Sequence, residues 1–118
     1  SWSIHQIVIH MMDSDLIASD RMKRIAAMDK PLLCGYDETA FNNLPGINDL
    51  DTALACHIFD LNRQMTARLL RCLPGEAFSR YGIHTEKGKV TLAEMLSGYI
   101  DHLDHHLGFI ERKRALVA

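Results

Sequence analysis

The stretch "YIDHLDHHLGFIERKRA", residues 99–115, decides the fold. Turned at about 100° per residue, Leu92, Leu96, Tyr99, Leu103, Leu107 and Ile110 fall on one stripe, the mark of an amphipathic helix with one face toward a core. Three histidines crowd that helix. His106 falls at one edge of the stripe, His102 lies beside it roughly 40° further round, and His105 points toward solvent. His102 and His106 are thus an i,i+4 pair one turn apart, a spacing that lets two imidazoles share a cation. A solvated polar face, a pH-sensitive contact or hydrogen-bonded core histidines would use the same residue types.

Outward from this stretch the chain is helical. Thr91-Leu-Ala-Glu94 is a capping box that opens the last helix, which continues to about Leu116. Before it, "FSRYGIHTEKGK" reads as a loop of strained or hairpin-like character. A second helix is expected from about Leu50 to Cys72, capped by Asp49 or Asp51 and stopped by "LPGE". Its apolar stripe is Leu54, Ile58, Leu61, Met65 and Leu69. A first helix from about Ile4 to Met28 starts at a Ser3/Gln6 capping box and carries Ile4, Ile7, Val8, Met11, Ala18, Met22 and Ile25 on one side. Pro31 and Gly35 end it, and a long connection with a short helix around Glu38–Asn42 follows. No strand alternation and no internal repeat is visible. The expectation is an all-α antiparallel bundle in a single domain, 1–118, with three long helices; a fourth, from preceding sequence or a partner chain, would close its core better.

Composition narrows the function. The net charge is −2, and the basic clusters Arg21/Lys23/Arg24 and Arg112/Lys113/Arg114 sit near helix ends, so no basic face for nucleic acid is expected. No run approaches the ~18 apolar residues of a membrane span. Cys34, Cys56 and Cys72 are widely spaced without a C-x-x-C, which suits a reducing cytoplasm. Glu-x-x-His pairs of the di-iron bundles, G-x-S-x-G, P-loop and Rossmann patterns do not occur.

A metal held by His102 and His106 needs a third ligand, with His5, His10, His57 and His84 as candidates. His10 and His57 both flank their helix stripes, and periodicity does not choose between them. Asp13 and Asp15 follow His10, and Asp15 falls on the apolar side, either as an acceptor that orients a ligand imidazole or as a carboxylate turned to solvent at the bundle end. For acid–base work the chain offers His84, Asp13, Asp15, Tyr36 and Tyr81.

Three segments carry a resemblance. "WSIHQIVIHMMDSD" resembles the opening motif of the DinB-like (YfiT-like) family, "GIHTEKGKVTLAEML" its loop into the last helix, and "HLDHHLGFI" its closing H-x-x-x-H-L-x-x-I. The resemblance implies a four-helix bundle with a divalent metal on His10, His102 and His106, choosing His10 over His57 and leaving His105 outside the ligand set. Zn or Ni is favoured, with Fe, Mn and Co admissible. It also implies a homodimer, and an enzyme that activates water or a low-molecular-weight thiol for hydrolysis or S-transfer on a small-molecule substrate; Asp13, Asp15 and His84 are the catalytic candidates that the chain's own residues offer. The alternatives are a non-catalytic, dimerising metal-binding bundle and a plain helical interaction module without metal. The family's first helix precedes the tryptophan motif, so the chain is expected to be N-terminally incomplete or completed by a partner. Phe109 stands where relatives commonly carry glutamine.

Overall fold

A computed structural model describes residues 2–117, with the side chains of 109, 116 and 117 excepted, so the departure at Phe109 lies outside the described residues. Three long helices dominate: α1 (Ile4–Ala27), α3 (Thr52–Cys72) and α4 (Leu92–Val117). The short α2 spans Glu38–Asn42. Local chemistry accounts for where these helices start. Ser3 and Gln6 cap α1 reciprocally, and the Asp51 side chain accepts from the Leu54 amide to open α3. Thr91 and Glu94 do the same for α4: the Glu94 amide donates to Thr91 Oγ1 at 3.1 Å and the Thr91 amide to Glu94 Oε1 at 3.3 Å.

A small sheet joins the helices, which hydrophobic alternation did not announce. Strand β1 (Leu32–Leu33) pairs in parallel with β2 (Tyr81–His84), which pairs antiparallel with β3 (Gly88–Thr91). The hairpin-like segment is therefore a real hairpin, and His84 lies at the end of a strand. Gly82 allows the close approach of β2 to the end of α1's connection: a Cβ there would stand 2.9 Å from the Pro31 carbonyl oxygen and 2.9 Å from Leu33 Cδ1.

The apolar core lies at the sheet end, where Met22, Ile25, Leu33, Ala77, Leu92 and Tyr99 pack together. Helix α1 is central and packs along both α3 and α4, whereas α3 reaches α4 chiefly through Arg63, which lies over the Tyr99 ring and donates to the Tyr99 carbonyl at 3.1 Å. The molecule is accordingly open: its radius of gyration is 15.5 Å, against about 13.5 Å for a compact chain of this length.

One expectation is corrected. The apolar stripe of α3 does not face the core: Leu54, Ile58, Leu61, Met65 and Leu69 are all exposed. The side of α3 turned to α1 presents Ala55, Asn62, Arg63 and Thr66 instead. A polar demand on α1 explains this. Asp15 is buried, and its carboxylate accepts from Arg63 Nε at 2.6 Å and from Asn62 Nδ2 at 2.6 Å. A buried charge without such partners would be strongly destabilising, so α3 is rotated to supply them.

Candidate metal centre

Helices α1 and α4 bring three imidazoles together. His10 Nε2 lies 3.2 Å from His102 Nε2, and His106 Nε2 lies 2.9 Å from the same atom. A ligand atom from each of the three residues can be chosen so that all lie within 4.8 Å of one another. The rings meet edge to face, with centroids 4.4 to 5.1 Å apart, and Trp2 covers the His10 ring at 4.8 Å.

Electrostatics keeps the rings neutral. Burial and then the neighbouring His106 lower the pKa of His10 to about 4. Burial, then His102 and His105, lower that of His106 to about 4. His102 is lowered by burial and by His10. At neutral pH the three rings thus present lone pairs.

The cluster fits a cation better than it fits itself. His102 Nε2 faces two other ring nitrogens, and a single ring nitrogen, as donor or acceptor, satisfies one such neighbour well. Nitrogens bound to one metal at ~2.1 Å and separated by 90° to 109° would stand ~3.0 to 3.4 Å apart. Two of the three separations, 2.9 and 3.2 Å, are close to that, and all three ligand atoms lie within 4.8 Å of one another. No carboxylate joins the group among the described residues, so a bound divalent ion would keep its charge uncompensated by ligands and strongly polarising.

The other histidine candidates lie elsewhere. His5 is engaged by Thr52 Oγ1 at 2.6 Å and the Ile47 carbonyl at 2.9 Å, tying α1 to the start of α3. His57 is exposed on α3, and the His105 ring lies on the outer side of His106, centroids 5.4 Å apart. His84, expected in a loop of strained or hairpin-like character, ends strand β2 and is buried.

A cavity of about 420 Å³ reaches the cluster at His102. Its wall includes Arg21, Tyr36, Arg63, His84, Lys87 and Met95. Asp15 also lines it, already held by Arg63 and Asn62, while Asp13 is not part of the wall. Burial raises the pKa of Asp13. Tyr36 bonds Ser14 Oγ at 2.8 Å, and Ser14 in turn approaches His10 at 3.4 Å, a long contact. Arg63 and Asn62 escaped the sequence reading because polar residues on an amphipathic helix look like a solvent face. The one signal for them was Asp15 on the apolar side of α1, a buried acid that demands a partner.

Residues 1–110 match the DinB superfamily, and the chain belongs to it. It is 31% identical over 111 residues to the putative metal-dependent hydrolase YfiT of Bacillus subtilis, covering 92% of this chain and 62% of that protein. A second relative, the putative metal-dependent hydrolase OB0782 of Oceanobacillus iheyensis, is 27% identical over 109 residues, covering 92% and 63%. The solved structure of Bacillus subtilis YfiT, described as a probable metal-dependent hydrolase with an unusual four-helix bundle topology, superposes with a TM-score of 0.91 at 27% identity. That match covers 95% of this chain and 65% of the other. The fold is thus that of the family's all-α bundle, and the chain spans less than two thirds of the length of these relatives.

Proposed function

We propose that the protein is a metal-dependent enzyme in which His10, His102 and His106 hold one divalent cation, Zn or Ni before Fe, Mn or Co. The observation that carries this is the convergence of the His10 and His106 Nε2 atoms on His102 Nε2 at 3.2 and 2.9 Å. A cation there supplies Lewis acidity, lowering the pKa of a water or thiol placed against it toward neutrality. The relatives' description as hydrolases favours hydrolysis of a small-molecule substrate; transfer of a low-molecular-weight thiol uses the same site.

The chain's own groups divide the remaining work. Burial raises the pKa of Tyr36, so its phenol stays protonated and offers a hydrogen bond at the cavity wall. Asp15 gives its carboxylate oxygens to Arg63 and Asn62, which suits holding α1 against α3 better than exchanging a proton. Asp13, whose pKa burial raises and which takes no part in the Arg63–Asn62 clasp, is the carboxyl assigned the acid–base role. His84 is assigned a substrate contact from the cavity wall. The cavity volume lies within the usual range for small-molecule sites.

The partner proposed for α3 is a second copy of the chain, supported by the row of apolar side chains that α3 exposes. A cytoplasmic setting is supported by three free, exposed cysteines. No described helix is long and apolar enough to cross a membrane.

Elemental analysis of protein purified without a metal-affinity tag tests the site. About one divalent metal per chain, lost in His102→Ala with helix content retained, is the expected result. Full occupancy in that variant would sink the ligand assignment. Metal without any metal-dependent turnover on ester and thiol substrates would leave a non-catalytic metal-binding bundle.

A further inference from the structure

The cavity beside His102 has a second polar end. His84 closes it from β2 with only 6% of its surface exposed. Its Nδ1 accepts from the backbone amides of Glu86 at 3.0 Å and Lys87 at 3.2 Å. A neutral imidazole carries one proton, so that proton sits on Nε2. Among the described residues Nε2 has no hydrogen-bond partner, and the ring forms part of the cavity wall. The tight turn after β2 therefore fixes the ring as a donor rather than a base.

Two cations stand near this donor. Burial, then the positive charges of Arg21 and Lys87, lower the pKa of His84, with Glu86 opposing them least. Arg21 is held in place by donating to the Cys34 carbonyl and by lying 6.0 Å from the Tyr36 ring centroid. Lys89 lines the same cavity, and none of Arg21, Lys87 and Lys89 forms an ion pair among the described residues. The carboxylates of the wall are mostly committed: Asp15 to Arg63 and Asn62, Glu94 to its capping box with Thr91. Glu38 is the carboxylate left over. The balance at this end is positive.

We propose that His84 Nε2–H, Arg21 and Lys87 form a recognition site for an anionic group, a carboxylate or a phosphate, carried by a small-molecule substrate whose reacting end faces His102. This rests on the metal-site reading above and narrows its substrate class. Arginine supplies a planar fork and lysine a point charge, both suited to such oxygens. A preset N–H donor in the same cavity wall adds direction.

The test is a titration of the full chain with acetate and with inorganic phosphate, following the His84 imidazole by NMR, with and without one equivalent of Zn. A saturable shift is expected in both states, and none with neutral acetamide. Lys87→Ala keeps the backbone amide that bonds His84 and lies on an exposed turn, so folding is not at risk. This variant and Arg21→Gln should each weaken the anion about tenfold, with metal stoichiometry unchanged. The better-bound anion identifies the group, and either choice supports the site. No saturable shift with either anion, or unchanged affinity in both variants, would overturn it. Failure of the metal reading is separable, since it would appear as anion binding that persists in a chain taking up no metal.

Discussion

Helices α1 and α3 carry apolar stripes of the same helical period and pack against each other, yet they use those stripes in opposite ways. On α1, Ile7, Met11, Met22 and Ile25 are 8% exposed or less. On α3, Leu61 and Met65 are 60% and 69% exposed. Helix α1 meets neighbours on two sides, with α3 against one face and α4 with the sheet against another. Helix α3 lies mainly against α1, reaching α4 through Arg63, which donates to the Tyr99 carbonyl at 3.1 Å, and the buried Asp15 draws its polar side inward. Periodicity tells which residues share a face; it is silent about what that face meets. Leaving Asp15 unpaired would cost several kcal/mol, the same order as the gain from burying two or three leucines at about 2 each, so the two demands compete for the inward side of α3 and the polar one is met there.

That comparison breaks most sharply at Asp15. Asp15→Ala strands Arg63, and a loss of about 3 to 5 kcal/mol in urea unfolding is expected. A change below 1 kcal/mol would mean that something other than this ion pair rotates α3. Next comes Ile25→Ala, at a fully buried position of the α1 stripe, with an expected cost of about 3 kcal/mol at unchanged denaturant slope. Thr91→Ala removes one half of the capping box of α4 and should cost about 1 kcal/mol, read as a lower thermal midpoint. Smallest in stability is Leu61→Lys on the exposed stripe of α3, expected to shift monomer unfolding by about 0.5 kcal/mol or less. Its larger effect is on association: light scattering should show a wild-type dimer and a monomeric variant. A wild-type chain that stays monomeric at every concentration would remove the second copy from α3.

The metal centre and the cavity end at His84 differ in how far they could be read in advance. His102 and His106 stand one turn apart on one helix, so their pairing is written in local spacing. His10 is 92 residues from His102, and helix periodicity left it level with His57; the family resemblance made the choice, and the fold brings the His10 and His102 rings to 3.2 Å. His84 read as a loop histidine because the strand that buries it pairs with Leu32–Leu33, a segment too short to show any alternation. Arg21 and Lys87 lie 66 residues apart in sequence, and only the packing of the hairpin beside α1 sets them around one cavity.

The sequence by itself determined the helices, their caps and the i,i+4 histidine pair, because hydrogen bonds of a single turn and the 3.6-residue period act within a few neighbours. Which side of α3 faces inward, which third histidine completes the cluster and where the cavity's positive end lies were decided only in three dimensions. Those outcomes depend on one buried carboxylate finding its partners across a helix interface, on a short sheet tying β1 to the hairpin, and on the passage of α1 through the middle of the fold.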